Sequence, residues 1–475
     1  MAPISLADSL TEKLAAIVGP ENVARTATDR LVYEVDAFTM AKQPPAAVVH
    51  PGSTEEVQEI VRLANREGIP FVARGAGTGL SGGALVHAGG IVISLTRMRR
   101  ILDIDIRNRR ATAEAGVVNL RLTQQVVGRH FHYAPDPSSQ MACTLGGNVA
   151  ENAGGPHTLK YGVTTNHLLG LKMVLGNGEI LDIPGDTDEP AGYDLLGIIA
   201  GSEGTFGIVT EVTVRLTRLP EAAQTALVVF SSVADATRCV SDIIAAGVVP
   251  AALELMDATI IKSVEAAFHF GFPLDAGAVL IIEIDGVAAG LDKIGGDVEV
   301  ICKRNNAREV RVAKDENERD RLWMCRKKAV GTLGRIAPSH CTMDGVIPRS
   351  KLPDVLELIA AVAKRHNLLI ANLFHAGDGS LHPLILFDER DPEEVERVQK
   401  AGGEVLKACV EVGGTITGEH GVGVEKLEYM RFVFSENDID TMARIRDVFN
   451  PARLCNPDKV VPPAAGLLEQ AEGVN

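Results

Sequence analysis

The stretch HAGDGSLH, residues 375–382, places two histidines on either side of a glycine-rich turn. Apolar residues flank it, Leu373 and Phe374 before and residues 383–387 after. A tight turn between two strands would bring His375 and His382 together as a pair of metal ligands. The same residues also suit a plain hairpin, because glycine and aspartate favour turns and a histidine near a turn needs no ligand. These eight residues leave both interpretations open.

A second segment, GGTITGEHGVG (413–423), places Glu419 and His420 between glycines. A carboxylate and two imidazoles form a three-ligand set with room for a substrate oxygen, which is the composition of a catalytic metal centre. Such a set accommodates zinc, manganese or iron(II). Sequence does not fix the distance between the two segments, so the chemistry alone does not establish the site.

Composition narrows the class of protein. A chain of 475 residues with 46% hydrophobic and 23% charged residues predicts a soluble enzyme of two or three domains. The net charge of −15 argues against nucleic acid and anionic membranes as main partners. Seven singly placed cysteines encode no iron–sulfur cluster or cysteine-rich zinc site and fit reduced thiols in the cytoplasm. We find no apolar run long enough to span a bilayer, so we expect a cytoplasmic protein, at most peripheral to the inner face of the membrane.

The order of predicted elements indicates an α+β fold. Before about residue 220, short strands alternate with helices and glycine-rich loops, and Ser53-Thr-Glu-Glu56 is a capping box that opens a helix. Beyond Pro220, strands and helices alternate to about Phe449, as in a sheet covered on one face by helices. The last dozen residues are expected to be frayed.

Three glycine-rich loops lie in the first half of the chain, at residues 72–85, 135–155 and 201–212. Glycines let backbone N–H groups approach an anion closely. The first loop is not a dinucleotide fingerprint, because no helix follows it directly, and it lacks the Gly-Lys-Ser/Thr ending of a triphosphate loop. One such loop is weak evidence, but three favour a long ligand with a pyrophosphate.

In their order and spacing these loops resemble the FAD-binding domain of the vanillyl-alcohol-oxidase/PCMH flavoproteins across residues 42–220. The second half, from LWMCRKKAVG through MDGVIPRSKLP, FHAGDGSLHPLILF, GGTITGEHGVG and LCNPDKVVP, resembles the C-terminal domain of FAD-linked D-2-hydroxyacid dehydrogenases. Within that family it is most similar to the group of glycolate oxidase flavin subunits D and D-lactate dehydrogenases.

The resemblance implies three regions. Residues 1–220 would form a PCMH-type FAD-binding domain of two α/β subdomains, with its core at 42–220. Residues 221–450 would form an α+β substrate and metal domain, an antiparallel sheet covered by helices. Residues 451–475 would return to the FAD domain and end in the frayed tail.

The resemblance also implies a set of cofactor residues. Those expected to contact FAD are Arg74, Gly75, Ala76, Gly77, Thr78 and Gly79 at the pyrophosphate, Pro137, Ser138, Gly146, Gly147, Asn152 and Gly155 along the isoalloxazine and ribityl side, Gly207 and Ile208 at the adenine, and Asn456 near the flavin. Some relatives attach FAD through a histidine where this chain has Thr78, so we expect a non-covalent flavin.

The implied reaction is oxidation of a D-2-hydroxy acid to the 2-oxo acid. Hydride would pass to flavin N5, and a divalent metal held by His375, His382 and Glu419 would polarise the hydroxyl. We expect His420 to accept the hydroxyl proton, with orientation of Glu419 as its alternative role. Arg326, on a predicted helix, would bind the substrate carboxylate. The family pattern usually has asparagine at the Ser380 position, which we expect to alter the turn and not the ligands.

Substrate size and partners follow from the same resemblance. The resemblance places polar side chains at the positions of Val330 and Leu384 in relatives that act on dicarboxylates. We therefore expect glycolate or D-lactate as substrate and keep 2-hydroxyglutarate as the alternative. Electrons would pass to an acceptor other than O2: an iron–sulfur subunit of a glycolate oxidase complex that also holds a second flavin subunit, or a quinone or cytochrome. Two rival interpretations are a metallohydrolase, which would leave the glycine loops unexplained, and a flavin subunit kept as a scaffold.

Overall fold

The computed structural model of the protein describes residues 6–187 and 192–463. Contacts divide the chain into two compact units. The first unit consists of residues 1–154, 163–219 and 419–475, and the second consists of residues 155–162 and 220–418. The predicted boundary at residue 220 coincides with the division after Leu219, whereas the return to the first unit begins at Glu419 and not at residue 451. The expected frayed tail, residues 464–475, lies outside the described residues.

Helices and strands are numbered along the described residues. The helices are α1 (Leu6–Val18), α2 (Ala27–Leu31), α3 (Thr54–Glu67), α4 (Asn119–Val126), α5 (Leu145–Glu151), α6 (Thr158–Tyr161), α7 (Leu195–Ile199), α8 (Val233–Ala245), α9 (Ala258–Phe268), α10 (Ala288–Arg304), α11 (Glu316–Thr332), α12 (Leu352–His366), α13 (Pro392–Glu411), α14 (Met430–Val433) and α15 (Glu436–Phe449). The strands are β1 (Val23–Ala24), β2 (Ala47–Val49), β3 (Phe71–Arg74), β4 (Ile91–Ser94), β5 (Ile101–Asp105), β6 (Arg110–Glu114), β7 (Phe131–His132), β8 (Leu168–Leu175), β9 (Ile180–Ile183), β10 (Gly207–Arg215), β11 (Thr217–Arg218), β12 (Ala222–Phe230), β13 (Ala252–Asp257), β14 (Ala278–Gly286), β15 (Glu309–Val312), β16 (Ser339–Thr342), β17 (Gly345–Val346), β18 (Leu369–His375), β19 (Ser380–Leu381) and β20 (Pro383–Phe387).

The first unit contains a four-stranded sheet in the order β1-β2-β4-β3, in which β2 and β3 both run parallel to β4. Helix α3 begins where the capping box predicted it, since Ser53 Oγ accepts a hydrogen bond from Glu56 N at 3.2 Å. It ends at Gly68, whose φ of +66° closes the helix. Its apolar face packs in one core with the strands.

A second sheet in the same unit is antiparallel and five-stranded, in the order β5-β6-β10-β8-β9. Strands β8 and β9 form the hairpin predicted around Asn177-Gly178. Strand β10 alternates buried and half-buried residues over most of its length, as a sheet with one covered face requires. These two sheets are the two subdomains expected of the first region.

The end of the described chain packs on the first sheet. Phe71 N donates to Leu454 O at 2.9 Å, and Asn456 N donates to Phe71 O at 2.7 Å. Just before this segment, the ring of Phe449 stacks on Phe206 with centroids 4.8 Å apart. Residues 454–456 thus extend the edge of β3.

The second unit is built on a seven-stranded sheet, β15-β12-β14-β13-β18-β20-β16, in which every pairing is antiparallel. Its strands are nearly continuous apolar runs, because both faces are buried in the middle of the sheet. Helices α9 and α11 pack with the sheet in one apolar core. An antiparallel sheet covered by helices is the architecture expected of the second region.

Segment 155–162 is tied to this sheet by a buried carboxylate on β14. Glu283 accepts hydrogen bonds from Arg319 at 2.8 and 2.9 Å, Trp323 Nε1 at 2.7 Å and Thr225 Oγ1 at 2.6 Å, and His157 Nε2 lies 3.4 Å away. Burial would raise the pKa of Glu283, but the hydrogen bonds from His157 and Arg319 hold it well below its usual value. The ionised carboxylate therefore fastens α11 and residue 157 to the sheet.

We expect Glu283→Gln to destabilise the second unit by about 3–5 kcal/mol, because it leaves buried donors facing an amide. The fluorescence of Trp323, the single tryptophan of the chain, reports urea unfolding of this unit directly. Asp297→Asn is the control, because its pair with Lys293 is exposed and worth less than about 1 kcal/mol. Equal shifts of the unfolding midpoint in the two variants would contradict the role of Glu283.

Candidate active site

The first glycine loop follows β3 in the first unit and closes over Arg74. Gly77 has a φ of +70°, and a Cβ there would lie 2.2 Å from Arg74 Nη2, so only glycine fits. The guanidinium donates from Nη2 to Val35 O at 2.8 Å and lies over the Tyr33 ring, 5.5 Å from its centroid. Arg74 Nη1 is buried without a hydrogen-bond partner among the described residues.

Asn456 joins two of the glycine loops. Its Nδ2 donates to Gly83 O at 2.9 Å and to Glu203 O at 2.7 Å, while its Oδ1 is buried and accepts no hydrogen bond from the described part of the chain. Buried polar groups in folded proteins nearly always have partners. A cationic donor at Arg74 and an acceptor at Asn456 therefore fit a bound group with phosphate oxygens and ring N–H donors, and FAD has both.

The other predicted cofactor residues lie on loops and element ends. Gly75, Ala76, Thr78 and Gly79 continue the first loop, Pro137 and Ser138 lie before α5, and Gly146 and Gly147 form its first turn. Gly207 and Ile208 begin β10. Asn152 caps α5 with a φ of 50°, and its Oδ1 accepts from Thr165 N at 2.9 Å, so its side chain has a structural partner. Gly155 is grouped with the second unit.

In the second unit the turn after β18 brings the two histidines together. The rings of His375 and His382 have centroids 5.1 Å apart and planes at 83°, and both residues are buried. His375 Nδ1 lies 2.7 Å from Glu254 Oε1. Because a carboxylate accepts, Nδ1 carries the hydrogen of this bond, which fixes the orientation of the ring.

Glu254, on β13, also accepts from Arg326 Nε at 2.6 Å. Burial would raise the pKa of Glu254, but the charges of His375 and Arg326 hold it below its usual value. Arg326 is 5% exposed, and its Nη1 and Nη2 have no hydrogen bond to any described residue. The guanidinium is fixed on one edge, and its remaining donors are available to an anion.

Asp344 is the second carboxylate of this group, 3.2 Å from His382 Nε2. Its Oδ2 accepts from Thr417 Oγ1 at 2.6 Å and from Gly418 N at 2.8 Å. Buried imidazoles beside a carboxylate are ligands of the type that a divalent transition metal prefers. The second unit therefore contains donors that fit such an ion.

Glu419 and His420 follow Gly418 directly and belong to the first unit. The main-chain oxygen of His420 accepts a hydrogen bond from Ser81 Oγ at 2.9 Å. The predicted base is thus carried by a loop packed on the first glycine loop. Glu419 directly follows Gly418, whose N–H donates to Asp344.

Sequence reasoning missed Glu254 and Asp344. The signal for Glu254 is a charged residue inside AALELMD, where every residue of β13 is buried. A buried carboxylate costs several kcal/mol unless it is paired, so such a residue predicts a cation nearby without naming it. Asp344 lies in a short, non-periodic segment and gives no comparable signal.

A second pair of buried carboxyl groups lies in the first unit. A Cβ on Gly421 would meet Glu203 Oε1 at 2.6 Å and Glu151 Oε2 at 2.7 Å, so both acids lie under that residue. Burial, together with the charges of Glu203 and Asp36, raises the pKa of Glu151 well above its usual value. Glu203 accepts two backbone N–H groups, whereas Glu151 Oε2 has no partner within the described residues. The proton therefore stays on Glu151.

This protonation predicts a pH-dependent stability. Above the ordinary pKa of glutamate the unfolded chain has lost the Glu151 proton and the folded chain retains it, so wild-type stability falls as the pH rises toward the raised pKa. Glu151→Gln removes this cost, and we expect its thermal midpoint to match wild type near pH 4 and exceed it by a few °C near pH 8. Thermal unfolding of the FAD-loaded proteins tests this, with the exposed Glu67→Gln as control. A difference that stays constant with pH would refute the assignment.

Family comparisons agree with the two units. Residues 45–184 match the FAD binding domain, and residues 219–460 match the family of FAD linked oxidases, C-terminal domain. Glycolate oxidase subunit GlcD of Escherichia coli (strain K12) is 45% identical over 440 residues, 93% of this chain and 88% of that protein. GlcD of Bacillus subtilis (strain 168) is 39% identical over 94% of this chain and 96% of its own length. The mitochondrial D-lactate dehydrogenase [cytochrome] of Arabidopsis thaliana is 30% identical over 90% of this chain and 75% of that protein.

Solved structures agree on the fold. The 4-ethylphenol oxidase of Gulosibacter chungangensis superposes with a TM-score of 0.81 at 19% identity, over 97% of this chain and 99% of that one. For p-cresol methylhydroxylase the TM-score is 0.75 at 16% identity, over 96% of this chain and 97% of that one. The predicted PCMH-type α+β fold is confirmed, and an FAD-binding domain is at odds with a metallohydrolase. The chain belongs to the family of FAD-linked oxidases and is an FAD-linked oxidoreductase.

Proposed function

We propose that the protein oxidises a small D-2-hydroxy acid, glycolate or D-lactate, to the 2-oxo acid, with FAD bound non-covalently. The observation that carries this proposal is the buried chain Arg326–Glu254–His375, in which one carboxylate joins a guanidinium to an imidazole. A guanidinium suits an anion, and an imidazole suits a metal. A 2-hydroxy acid has the two matching groups on adjacent carbons, a carboxylate and a hydroxyl. The names of the relatives, glycolate oxidase and D-lactate dehydrogenase, support the same substrate class.

Bound FAD would supply a hydride acceptor, and a divalent cation would supply a Lewis acid for the substrate hydroxyl. Arg326 holds the substrate carboxylate through Nη1 and Nη2, while Glu254 keeps its Nε edge in place. His375 and His382 serve as metal ligands, and Glu254 fixes the ring orientation of His375. These contacts orient the substrate, so the C2 hydrogen and the hydroxyl are presented in one arrangement.

Glu419 is the proposed third ligand and His420 the proposed base. Chain continuity supports the ligand, because Gly418 is fixed to Asp344, which contacts His382. His420 takes the hydroxyl proton, the part of the reaction that a neutral imidazole performs near neutral pH. The alternative role of His420 is to orient Glu419. In that case this loop would supply no base for the substrate hydroxyl.

Small substrates are favoured by two apolar residues. Leu384 is 1% exposed within the apolar core of the second unit, and Val330 packs against that core. Neither side chain could pair with a second carboxylate, and burying an unpaired carboxylate costs several kcal/mol. A dicarboxylate such as 2-hydroxyglutarate should therefore be the poorer substrate.

The electron acceptor is proposed to be external and other than O2. No helix in the described part of the chain is long and apolar enough to cross a membrane. An iron–sulfur subunit and a second flavin subunit are the partners that a GlcD-type chain suggests, with a quinone or cytochrome as the other acceptor class. A cytoplasmic location, at most peripheral to the membrane, accompanies this proposal.

Anaerobic titration tests the function directly. We expect glycolate or D-lactate to bleach the flavin absorbance, with L-lactate and 2-hydroxyglutarate at least about tenfold less effective, since 1.4 kcal/mol of lost binding is tenfold. Chelation with dipicolinate should abolish bleaching without releasing FAD, and Zn²⁺, Mn²⁺ or Fe²⁺ should restore it. Bleaching that survives complete metal removal would exclude the metal role, and preference for 2-hydroxyglutarate would exclude the substrate assignment.

Arg326→Lys should lower kcat/KM for the hydroxy acid roughly 10- to 100-fold, because lysine keeps the charge but loses the fork that pairs Glu254 and substrate together. Lys327→Gln is the matched control, an exposed cation one residue along the same helix, and should leave kcat/KM within about twofold. Steady-state rates at saturating acceptor provide the comparison. Equal losses in both variants would mean that general charge, and not the Arg326 fork, attracts the substrate.

A further inference from the structure

The loop that carries His420, residues 419–425, is fastened along its whole length within the first unit. Ser81, in the first glycine loop, donates from Oγ to His420 O at 2.9 Å. The main-chain oxygen of Ser81 accepts from Val424 N at 3.0 Å and from Glu425 N at 3.2 Å. One residue of a cofactor loop therefore holds the loop on both sides of Gly421.

Glu203 binds the middle of this loop, at Val422 and Gly423. Its Oε1 accepts from Val422 N at 2.6 Å and its Oε2 from Gly423 N at 2.7 Å, so each carboxylate oxygen binds one of two successive amides. Two charge-assisted hydrogen bonds of this length are stronger than neutral ones. Buried Lys426 completes the set, because its Nζ donates to Gly421 O at 3.0 Å.

The backbone of Glu203 is strained, which indicates that its side chain is required where it is. Its φ of 51° lies in the left-handed region, which is unfavourable for a non-glycine residue. Glycines stand on both sides of the Ser202-Glu203 pair, at 201 and 204, so the sequence uses glycine freely here but keeps glutamate at this position. The main chain of Glu203 is also fixed, since its N–H donates to Ala150 O at 2.8 Å and its oxygen accepts from Asn456.

We propose that Glu203 and Ser81 are positioning residues that set the path of loop 419–425 and thereby the place of the His420 imidazole. This inference rests on the proposed function, in which His420 accepts the substrate proton. Both residues belong to the glycine loops that fit FAD, so the cofactor loops and the base are built as one piece within the first unit. A displacement of about 1 Å in such a group can cost 100-fold in rate.

The carboxylate of Glu203 is chemically specific for this task. Glutamine at this position offers one acceptor and one NH₂ group, and the NH₂ would face a backbone N–H, so one of the two amides loses its partner. Glu151, under the same Gly421 but without a bond to these amides, is the matched control. Glu151→Gln keeps the size of the side chain and leaves both hydrogen bonds from the loop amides to Glu203 in place.

The test compares the FAD-loaded Glu203→Gln, Ser81→Ala and Glu151→Gln variants with wild type at neutral pH. Hydrogen exchange of a peptide spanning residues 419–426 is followed by mass spectrometry, together with kcat, KM and flavin absorbance. For Glu203→Gln we expect at least about tenfold faster exchange of the Val422 and Gly423 amides, from the loss of about 1.4 kcal/mol, and roughly 100-fold lower kcat with little change in KM. Ser81→Ala should show a smaller rise in exchange rate and a smaller fall in kcat. Glu151→Gln should show neither change.

Unchanged exchange and unchanged kcat in both Glu203→Gln and Ser81→Ala would overturn the inference. Faster exchange with full kcat would also overturn it, because the loop would then be held without positioning the base. A Glu203→Gln protein that cannot load FAD would give that residue a role in folding instead, and Ser81→Ala then decides alone. Should wild type oxidise no hydroxy acid, the proposed function fails, and the exchange data still measure the fastening of the loop.

Discussion

A carboxylate buried in an apolar strand must be paired, and in this protein that requirement organises the second unit. Glu254 is fully buried in β13, where an isolated charge would be destabilising by several kcal/mol. Arg326 from α11 and His375 from β18 supply the compensation, one on each oxygen. Satisfying this one carboxylate therefore fixes the Nε edge of Arg326 and the orientation of the histidine ring. Only once Glu254 is paired are Arg326 and His375 held in fixed positions in which they could bind a ligand.

The same arrangement recurs at Glu283 and Glu203. Glu283 binds side chains from α11 and residue 157 to β14, and Glu203 binds two main-chain amides of the loop that follows Glu419. In each case a buried acid accepts hydrogen bonds from a segment that is distant in sequence. Apolar contacts are non-directional, whereas a carboxylate accepts hydrogen bonds at defined angles. The apolar core therefore brings segments close together, and the buried acids fix their orientation.

Sequence could predict the parts of this structure that depend on near neighbours in the chain. The helix start at Ser53, the hairpin at Asn177-Gly178 and the turn between His375 and His382 all follow from local turn and helix chemistry. The capping box predicted at Ser53 forms only in part, because the Glu56 side chain accepts from Gly52 N and not from Ser53 N. Glu254 was missed because its partners lie 72 and 121 residues away, and a single sequence carries no record of such pairing. Glu203 was missed for the same reason, since the amides it binds lie 219 and 220 residues further along.

The main chain is held by hydrogen bonds on both sides of Glu419, the residue proposed as the third metal ligand. Gly418 N is held by Asp344 in the second unit, and His420 O is held by Ser81 in the first. Glu419 stands between the two attachments, so its backbone has little freedom left once both are made.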